Sequence, residues 1–501
     1  MTDIRTARRV AVIGGGVSGL AAAYTLARAR QSGAPVEEFL IEAGPCLGGV
    51  VRTETVDGFV IEAGPDSFLA EKPQAAAMAR ELGLGADLMG SNDHARRTYI
   101  LYQGRLLPLP DGLMFLVPTR IWPMVTTRLL PLSTKLAAAR ELFSSPRADE
   151  EGDESVASFV RRHFGDAMVE NIADPLLAGV YGGDSAALSV RSVLPRFWEM
   201  ERQRGSLTRA TLAAMRRRRA AGSGNGSGSA GPSSSPARAL PLFMTLKGGL
   251  QQLAEKLAAQ VDAQRVQLGH RALGLEFAPG GPGGGVDSCS RRFQIVCEGG
   301  RNFDADSVIL SVPANLAGGL ISSLDARLGD LLAGIPYSSS MTVSLGFDEN
   351  ARSLLPPGFG FLVPHKERRR MLACTFVHAK FDHRVPEGKA MLRCFLGGAR
   401  DPDVLGLRDD EVLSVVRREL KEIMDFDARP LFCRVHRWPG SMAQYPVGHK
   451  ARVAAIEERL QSLPGVYLSG NAYSGIGISD CIRTGRSAAD KALADLGLRK
   501  P

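Results

Sequence analysis

The sequence predicts a mixed protein, part α/β and part α+β, and two observations carry that prediction. One is an apolar run that breaks into a glycine turn and then a helix: VAVIGGGVSGL, Val10 to Leu20, followed by the alanine-rich stretch Ala21 to Ala29. The other is the alternation of apolar and polar residues between Ser338 and Phe395, as in Met341-Thr342-Val343-Ser344-Leu345-Gly346-Phe347, the pattern of half-buried strands in an antiparallel sheet.

The first element reads as strand, glycine turn, helix. Gly14 permits the tight turn, Gly16 lets backbone approach a pyrophosphate without a Cβ in the way, and Gly19 lets the helix pack closely on the strand. The helix N-terminus then faces the phosphates. A lone GxGxxG occurs in many loops, so its context decides. A second apolar run, Phe39 to Ile41, ends on Glu42, where the second strand of a βαβ unit offers a carboxylate to ribose hydroxyls. These residues predict a dinucleotide site.

Composition sets the outer limits. The chain has 501 residues, of which 44% are hydrophobic and 23% charged, the balance of a globular protein able to bury a large core. Sixty-one basic against 53 acidic residues give a formal charge of +8. That excess permits attraction to anionic substrates or an anionic membrane surface but does not imply nucleic acid, and no nucleic-acid partner is expected. The seven cysteines are odd in number, scattered and without a CxxC pair, which suits a reducing compartment. The residues before Val10 lack the apolar core of a secretory signal, so the expected location is the cytoplasm or the cytosolic face of a membrane.

Further along, AGPCLGGVVRTE (Ala43 to Glu54) brings Gly48 and Gly49 just downstream of Glu42, and Phe59 to Glu62 leads into Ala63-Gly64-Pro65-Asp66-Ser67. Leu106 to Phe143 is rich in Leu, Met, Trp and Pro, but Arg120 and Arg128 interrupt it and Pro110, Pro118, Pro123 and Pro131 punctuate it, which keeps it below the roughly 18 to 20 apolar residues of a spanning helix. Such pieces suit a segment lying in a membrane interface, and equally one packed inside a helical domain. Asp153 to Phe164 has helical spacing, with Val156, Phe159 and Val160 on one face and an acidic first turn suited to the helix dipole. Helical segments are expected to about Met215. The arginines 216–219, read as a solvated helix end, then open into a Gly/Ser tract expected to be a flexible loop. From Leu242 a Gly248-Gly249 pair precedes a helix. Arg265 to Phe277, Phe293 to Glu298 and Val308 to Val312 read as strands, with Pro279 to Gly285 as a hairpin tip. Glu411 to Met424 has helical periodicity, Gly465 to Leu468 reads as a strand, and Gly470 to Leu493 repeats the pattern of glycine turn into helix.

With these pieces in place the chain resembles the protoporphyrinogen oxidase family of amine-oxidase-like flavoproteins. The blocks that carry the resemblance are EAGPDSF (Glu62 to Phe68), DESVASFVRR (Asp153 to Arg162), AGVYGGDSAALSV (Ala178 to Val190), TLKGGLQQL (Thr245 to Leu253), PPGFGFLVP (Pro356 to Pro364) and GNAYSGIGISDCI (Gly470 to Ile482). The resemblance implies a discontinuous Rossmann-like FAD-binding domain (1–70, 241–312, 439–501), an antiparallel-sheet substrate domain (71–92, 192–215, 313–438), a helical membrane-associating domain (93–191) and a linker (216–240). It tilts the reading of Leu106 to Phe143 towards membrane contact.

It also implies site residues. Gly14, Gly15, Gly16, Val17, Ser18 and Gly19 would lie at the pyrophosphate, Glu42 and Ala43 at the adenosine ribose, and Gly48, Gly49 and Val50 along the dinucleotide. Gly64, Pro65 and Asp66 would lie near the isoalloxazine, Gly470 would be a further cofactor contact, and Ile476, Gly477 and Ile478 would face the pyrimidine end of the ring, where a helix dipole favours negative charge on the reduced flavin. Ala272 stands where family members often carry valine against the adenine. An arginine would hold a substrate propionate, with Arg97 chosen over its neighbour Arg96, and Gly179, Leu362 and Phe376 would sandwich a tetrapyrrole.

The chain has no HExxH, no GxSxG and no metal-spaced Cys/His set. For a flavin oxidase no protein group need act chemically, because the flavin N5 accepts the hydride while the protein binds, orients and excludes water. The implied reaction takes protoporphyrinogen IX to protoporphyrin IX in three two-electron cycles, each reoxidised by O2 to give H2O2. Coproporphyrinogen III is the rival substrate, an amine or carotenoid the next, and a flavin-loaded membrane adaptor the non-enzyme alternative. A homodimer stays open.

Overall fold

The computed structural model describes residues 7–114, 116–146, 152–223, 241–278 and 292–498. A parallel five-stranded sheet is built on the first strand, Arg8–Ile13, flanked by Val36–Glu42 on one side and Ser307–Leu310 on the other. Val266–Leu268 and Val466–Leu468 close its edges. Three distant stretches therefore share one sheet, and its central strand is apolar because both faces are covered: Val10, Ala11 and Val12 are fully buried. The first helix, Val17–Gln31, and the last, Ile478–Asp495, pack side by side on one face.

A second sheet of seven strands has Tyr337–Phe347 paired antiparallel with Ala390–Gly397 and Phe432–Ala443. Its alternation sorts the side chains. Met341, Val343, Leu345, Leu392, Cys394 and Leu396 form a core beneath the helix Asp409–Met424, while Thr342, Arg393 and Trp438 point the other way and bond to residues 63–64. The long strand alternation predicted from Ser338 onward is present.

A cluster of helices stands against the strands Gly360–Leu362 and Met371–Phe376 of this sheet, among them Leu132–Glu141, Val156–Phe164, Asp174–Tyr181, Pro195–Arg204 and Leu207–Ser223. Three expectations change here. Strands Thr98–Tyr102 and Arg105–Pro108, inside the stretch read as helical from 93, join the seven-stranded sheet, because Thr98–Ile100 pairs in parallel with Gly360–Leu362. The acidic residues near Asp153 precede the helix: Ser155 is its N-cap, its hydroxyl accepting from Ser158 N at 3.1 Å, and no acid lies in its first turn. The helix expected to end near Met215 runs on through 216 and 217, whose arginines are exposed, to Ser223. The Gly/Ser tract and the 279–285 hairpin tip lie outside the described residues.

The stretch 106–143 divides its apolar residues between two surroundings. Val117, Met124, Leu129 and Leu130 are buried in the helical core, whereas Ile121 is 81% exposed, Trp122 75%, Leu132 71% and Phe143 84%. Among the described residues no helix is long and apolar enough to cross a membrane.

Candidate functional site

The glycine turn has the geometry its spacing predicts. Gly14 has φ +107° and a Cβ there would meet Ser311 O at 2.5 Å, while a Cβ on Gly19 would overlap the Gly14 carbonyl. Strand and helix thus approach as closely as backbone allows. Gly16 is the N-cap of the first helix and no side chain caps it. A Cβ on Gly16 would meet nothing within 4 Å, so the space beside the uncapped amides of Val17, Ser18 and Gly19 is open. That open cradle fits a pyrophosphate: free N–H groups at a helix N-terminus, with no acidic residue in the first turn to repel an anion.

The other predicted cofactor residues converge on the same groove. Gly48 N donates to Gly15 O at 2.9 Å, and a Cβ on Gly49 would lie 3.2 Å from Gly16 Cα, so the GG doublet lies against the turn. Exposed Val50 follows, and a Cβ on Gly64 would overlap its carbonyl oxygen, which brings 64–66 to the same line. Glu42 closes the second strand with its carboxylate held by Gly15 N at 2.6 Å and Gly44 N at 2.7 Å. Those two backbone bonds orient it beside Ala43 at the strand end. His270 N donates to Glu42 O at 3.0 Å, which places Ala272, two residues on and half-buried, at that end of the groove. Gly470 (φ +129°) also leaves open space at its Cβ position, and Gly477 caps the last helix, with Ile476 before it and Ile478 as its first residue. Pro65 is half-buried between Gly64 and Asp66.

The substrate picks divide. Gly179, on the helix Asp174–Tyr181, faces Leu362: a Cβ there would sit 3.3 Å from Leu362 Cδ2. Phe376 does not join them. It is fully buried in the core on the opposite side of the sheet, 6.2 Å edge-on from Phe361, because alternation along the paired strands turns it away from Leu362. Arg96 and Arg97 are both exposed at the start of the strand beside Leu362. The Arg97 carbonyl accepts from Phe359 N at 2.8 Å, so its backbone is fixed to the pocket strand.

The sequence reading missed a buried charged network behind residues 62–66. Asp66 binds Lys380 Nζ at 2.9 Å, Glu62 binds Arg384 Nη2 at 2.8 Å, and Arg393 Nη2 donates to Gly64 O. Burial opposes ionisation of Asp66, but Lys380, Arg393 and Arg384 hold its carboxyl well below the usual range. Glu62 is pushed up, chiefly by burial. The signal was present as a single arginine inside the otherwise apolar strand AMLRCFLG.

A cradle of this kind, closed by a C-terminal helix, defines a dinucleotide flavoprotein. The family model of flavin containing amine oxidoreductases matches residues 17–493, and the chain belongs to that family. Its cofactor is FAD. Within the family it is similar to the porphyrinogen oxidases. It is 36% identical over 491 residues to the coproporphyrinogen III oxidase of Bacillus subtilis (strain 168), covering 98% of each chain. It is 27% identical to protoporphyrinogen oxidase 1, chloroplastic, of Arabidopsis thaliana, covering 94% of this chain and 85% of that one. A solved structure from Exiguobacterium sp. 255-15 that carries the provisional name protoporphyrinogen oxidase superposes with a TM-score of 0.81 at 29% identity, covering 98% and 99% of the two chains. The chain is a flavoenzyme of the porphyrinogen oxidase group.

Proposed function

We propose that the protein oxidises coproporphyrinogen III to coproporphyrin III, with O2 as the acceptor. The observation that carries this reading is the 36% identity, over nearly the full length of both chains, to the Bacillus subtilis coproporphyrinogen III oxidase. Protoporphyrinogen IX, the substrate favoured by the sequence blocks alone, is the second reading, supported by the Arabidopsis thaliana relative at 27%.

Bound FAD supplies the hydride acceptor. The chain's own part is to bind, orient and exclude water. Uncapped amides at Val17–Gly19 hold the diphosphate, and Glu42, already oriented by two backbone donors, offers its remaining lone pairs to the ribose. Gly179 and Leu362 clasp the macrocycle between the helical cluster and the seven-stranded sheet, presenting it to the stretch 64–66. Arg97, with Arg96 beside it, takes a propionate at the rim. No side chain is assigned as acid or base, since the substrate's own N–H groups release the protons. The chain divides into FAD, substrate and helical domains, with strands 98–108 in the substrate sheet and helices 195–223 in the helical part. The outward apolar residues of 121–143 rest on a membrane surface.

The deciding experiment follows porphyrin fluorescence with coproporphyrinogen III, protoporphyrinogen IX and an amine in parallel. A higher kcat/KM on coproporphyrinogen supports the first reading, the reverse order replaces it with the second, and silence on both porphyrinogens overturns them.

A further inference from the structure

Three cations and two carboxylates are packed behind the stretch 62–66. The carbonyls of Ala63 and Gly64 are turned towards the seven-stranded sheet, and that of Asp66 towards Arg384 and Thr245. Ala63 O accepts from Thr342 Oγ1 at 2.7 Å and Trp438 Nε1 at 2.9 Å, Gly64 O accepts from Arg393, and Asp66 O accepts from Arg384 Nη2 at 2.9 Å and Thr245 Oγ1 at 3.0 Å. Lys380 reaches the Asp66 carboxylate and the Ser67 hydroxyl, and Arg393 Nη1 lies 3.8 Å from Asp66. Glu62 is shared by Arg384, the Leu250 amide at 2.7 Å and the Thr53 hydroxyl at 2.8 Å.

The charges do not balance. Among the described residues Lys380, Arg384 and Arg393 have Glu62 and Asp66 as their carboxylate partners, with the rings of Phe243, Phe381 and Phe395 beside them, and the two guanidinium side chains are 1% and 5% exposed. The Nε atoms of Arg384 and Arg393 are buried without a hydrogen-bond partner. Two other carboxylates of this region are otherwise placed: Glu54 is held by Arg434 at 2.7 Å, and Asp382 is 78% exposed. The neighbouring imidazoles of His378, His383 and His436 are held in the neutral form by burial. An unmatched buried cation is costly unless an anion compensates it.

We propose that Lys380, Arg384 and Arg393 are positioning residues for the electron-transfer step. They hold one excess positive charge behind residues 64–66 and thereby favour the negative charge that the flavin takes up on reduction, raising its reduction potential. This rests on the flavoenzyme reading and on residues 64–66 lying against the isoalloxazine. Coulomb attraction through a buried, low-dielectric medium is strong enough for a charge one peptide layer away to act. Burial pushes the pKa of Glu62 up, which enlarges the positive excess, and pulls that of Lys380 down against the attraction of Asp66, which reduces it, so the count of three cations against two carboxylates carries the argument.

The test uses purified FAD-loaded protein and reads the two-electron midpoint potential and the affinity for sulfite, whose adduct with flavin reports nearby positive charge. The variants are Lys380→Met, Arg393→Met and Arg393→Lys. Each Met variant is expected to shift the reduction equilibrium at least tenfold against reduction, about 30 mV for a two-electron couple, and to weaken sulfite binding at least tenfold. Arg393→Lys keeps the charge and is expected to keep the potential. Loaded Met variants with the parental potential and sulfite affinity would overturn the proposal. Should both fail to bind FAD, Asp66→Asn decides: it enlarges the positive excess, so a raised potential supports the proposal and an unchanged one refutes it. A parent protein that binds no FAD at all would instead remove the flavoenzyme reading.

Discussion

A methyl group on Gly485 would overlap the carbonyl oxygen of Ser18, so the first and last helices touch backbone to backbone at this point. Ser18 lies in the first turn of the glycine-turn helix and Gly485 two turns into the C-terminal one. Gly485→Val should therefore push the two ends of the cofactor groove apart. Overpacking of this kind costs about 1–3 kcal/mol or more. A lower Tm together with weaker FAD binding is the expected result, read by thermal unfolding and flavin fluorescence. Unchanged values would show that the helices can separate freely.

Gly16 makes the opposite case. Its φ is −70° and its Cβ position is open, so the first side-chain carbon of Gly16→Val meets no protein atom. Its stability should change by no more than ~1 kcal/mol, the scale of a poorer N-cap. FAD loading should fall by at least tenfold, because the new side chain fills the space that the diphosphate needs. Normal loading would refute the pyrophosphate assignment.

Arg97 is anchored through its backbone to the strand that carries Leu362, with its side chain exposed. Arg97→Ala should raise KM for the porphyrinogen about tenfold while kcat and bound flavin stay near parental values, as expected for lost uniform binding. If KM moves only in Arg96→Ala, the propionate contact belongs to that neighbour.

Trp122 and Phe143 stand out from the helical cluster at 75% and 84% exposure. Burying each in a lipid interface is worth roughly 1.5–3 kcal/mol. Replacing both with Glu should cut binding to anionic vesicles by more than tenfold without altering catalysis in detergent. Equal sedimentation with vesicles would remove the membrane role from this face.

His163 gives the helical cluster a pH dependence. Its Nε2 lies 3.1 Å from Glu201 and its Nδ1 3.6 Å from Glu141, on helices that it ties together. Burial lowers its pKa, but the two glutamates outweigh burial and raise it above the ordinary 6.5. Arg162 and Glu154 complete the charges around it. With the folded pKa raised, the stabilisation is complete below pH 6.5 and fades as pH rises through the folded value. Glu201, whose pKa is lowered to about 2, acts in the opposite sense, its contribution fading as pH falls from 4.5 towards 2. His163→Gln should flatten the decline of Tm above neutrality and destabilise most near pH 6. A parallel decline in the variant would exclude His163 as its source.

Local sequence determined much of this protein. The glycine spacing from Gly14 to Gly19, Glu42 at a strand end and the alternation after Ser338 each encode geometry within a few residues, because turn, helix and pleat are set by neighbouring backbone and side-chain chemistry. Relations across long separations were decided by tertiary structure alone. Alternation along a single strand shows that Phe376 and Leu362 have two faces to choose from, but only the pairing of the strands shows that they choose different ones. The charged cluster joins Glu62 and Asp66 to Lys380, Arg384 and Arg393 across more than 300 residues of chain. Its consequence, three cations set against two carboxylates, matters only where burial removes the water that would otherwise screen them.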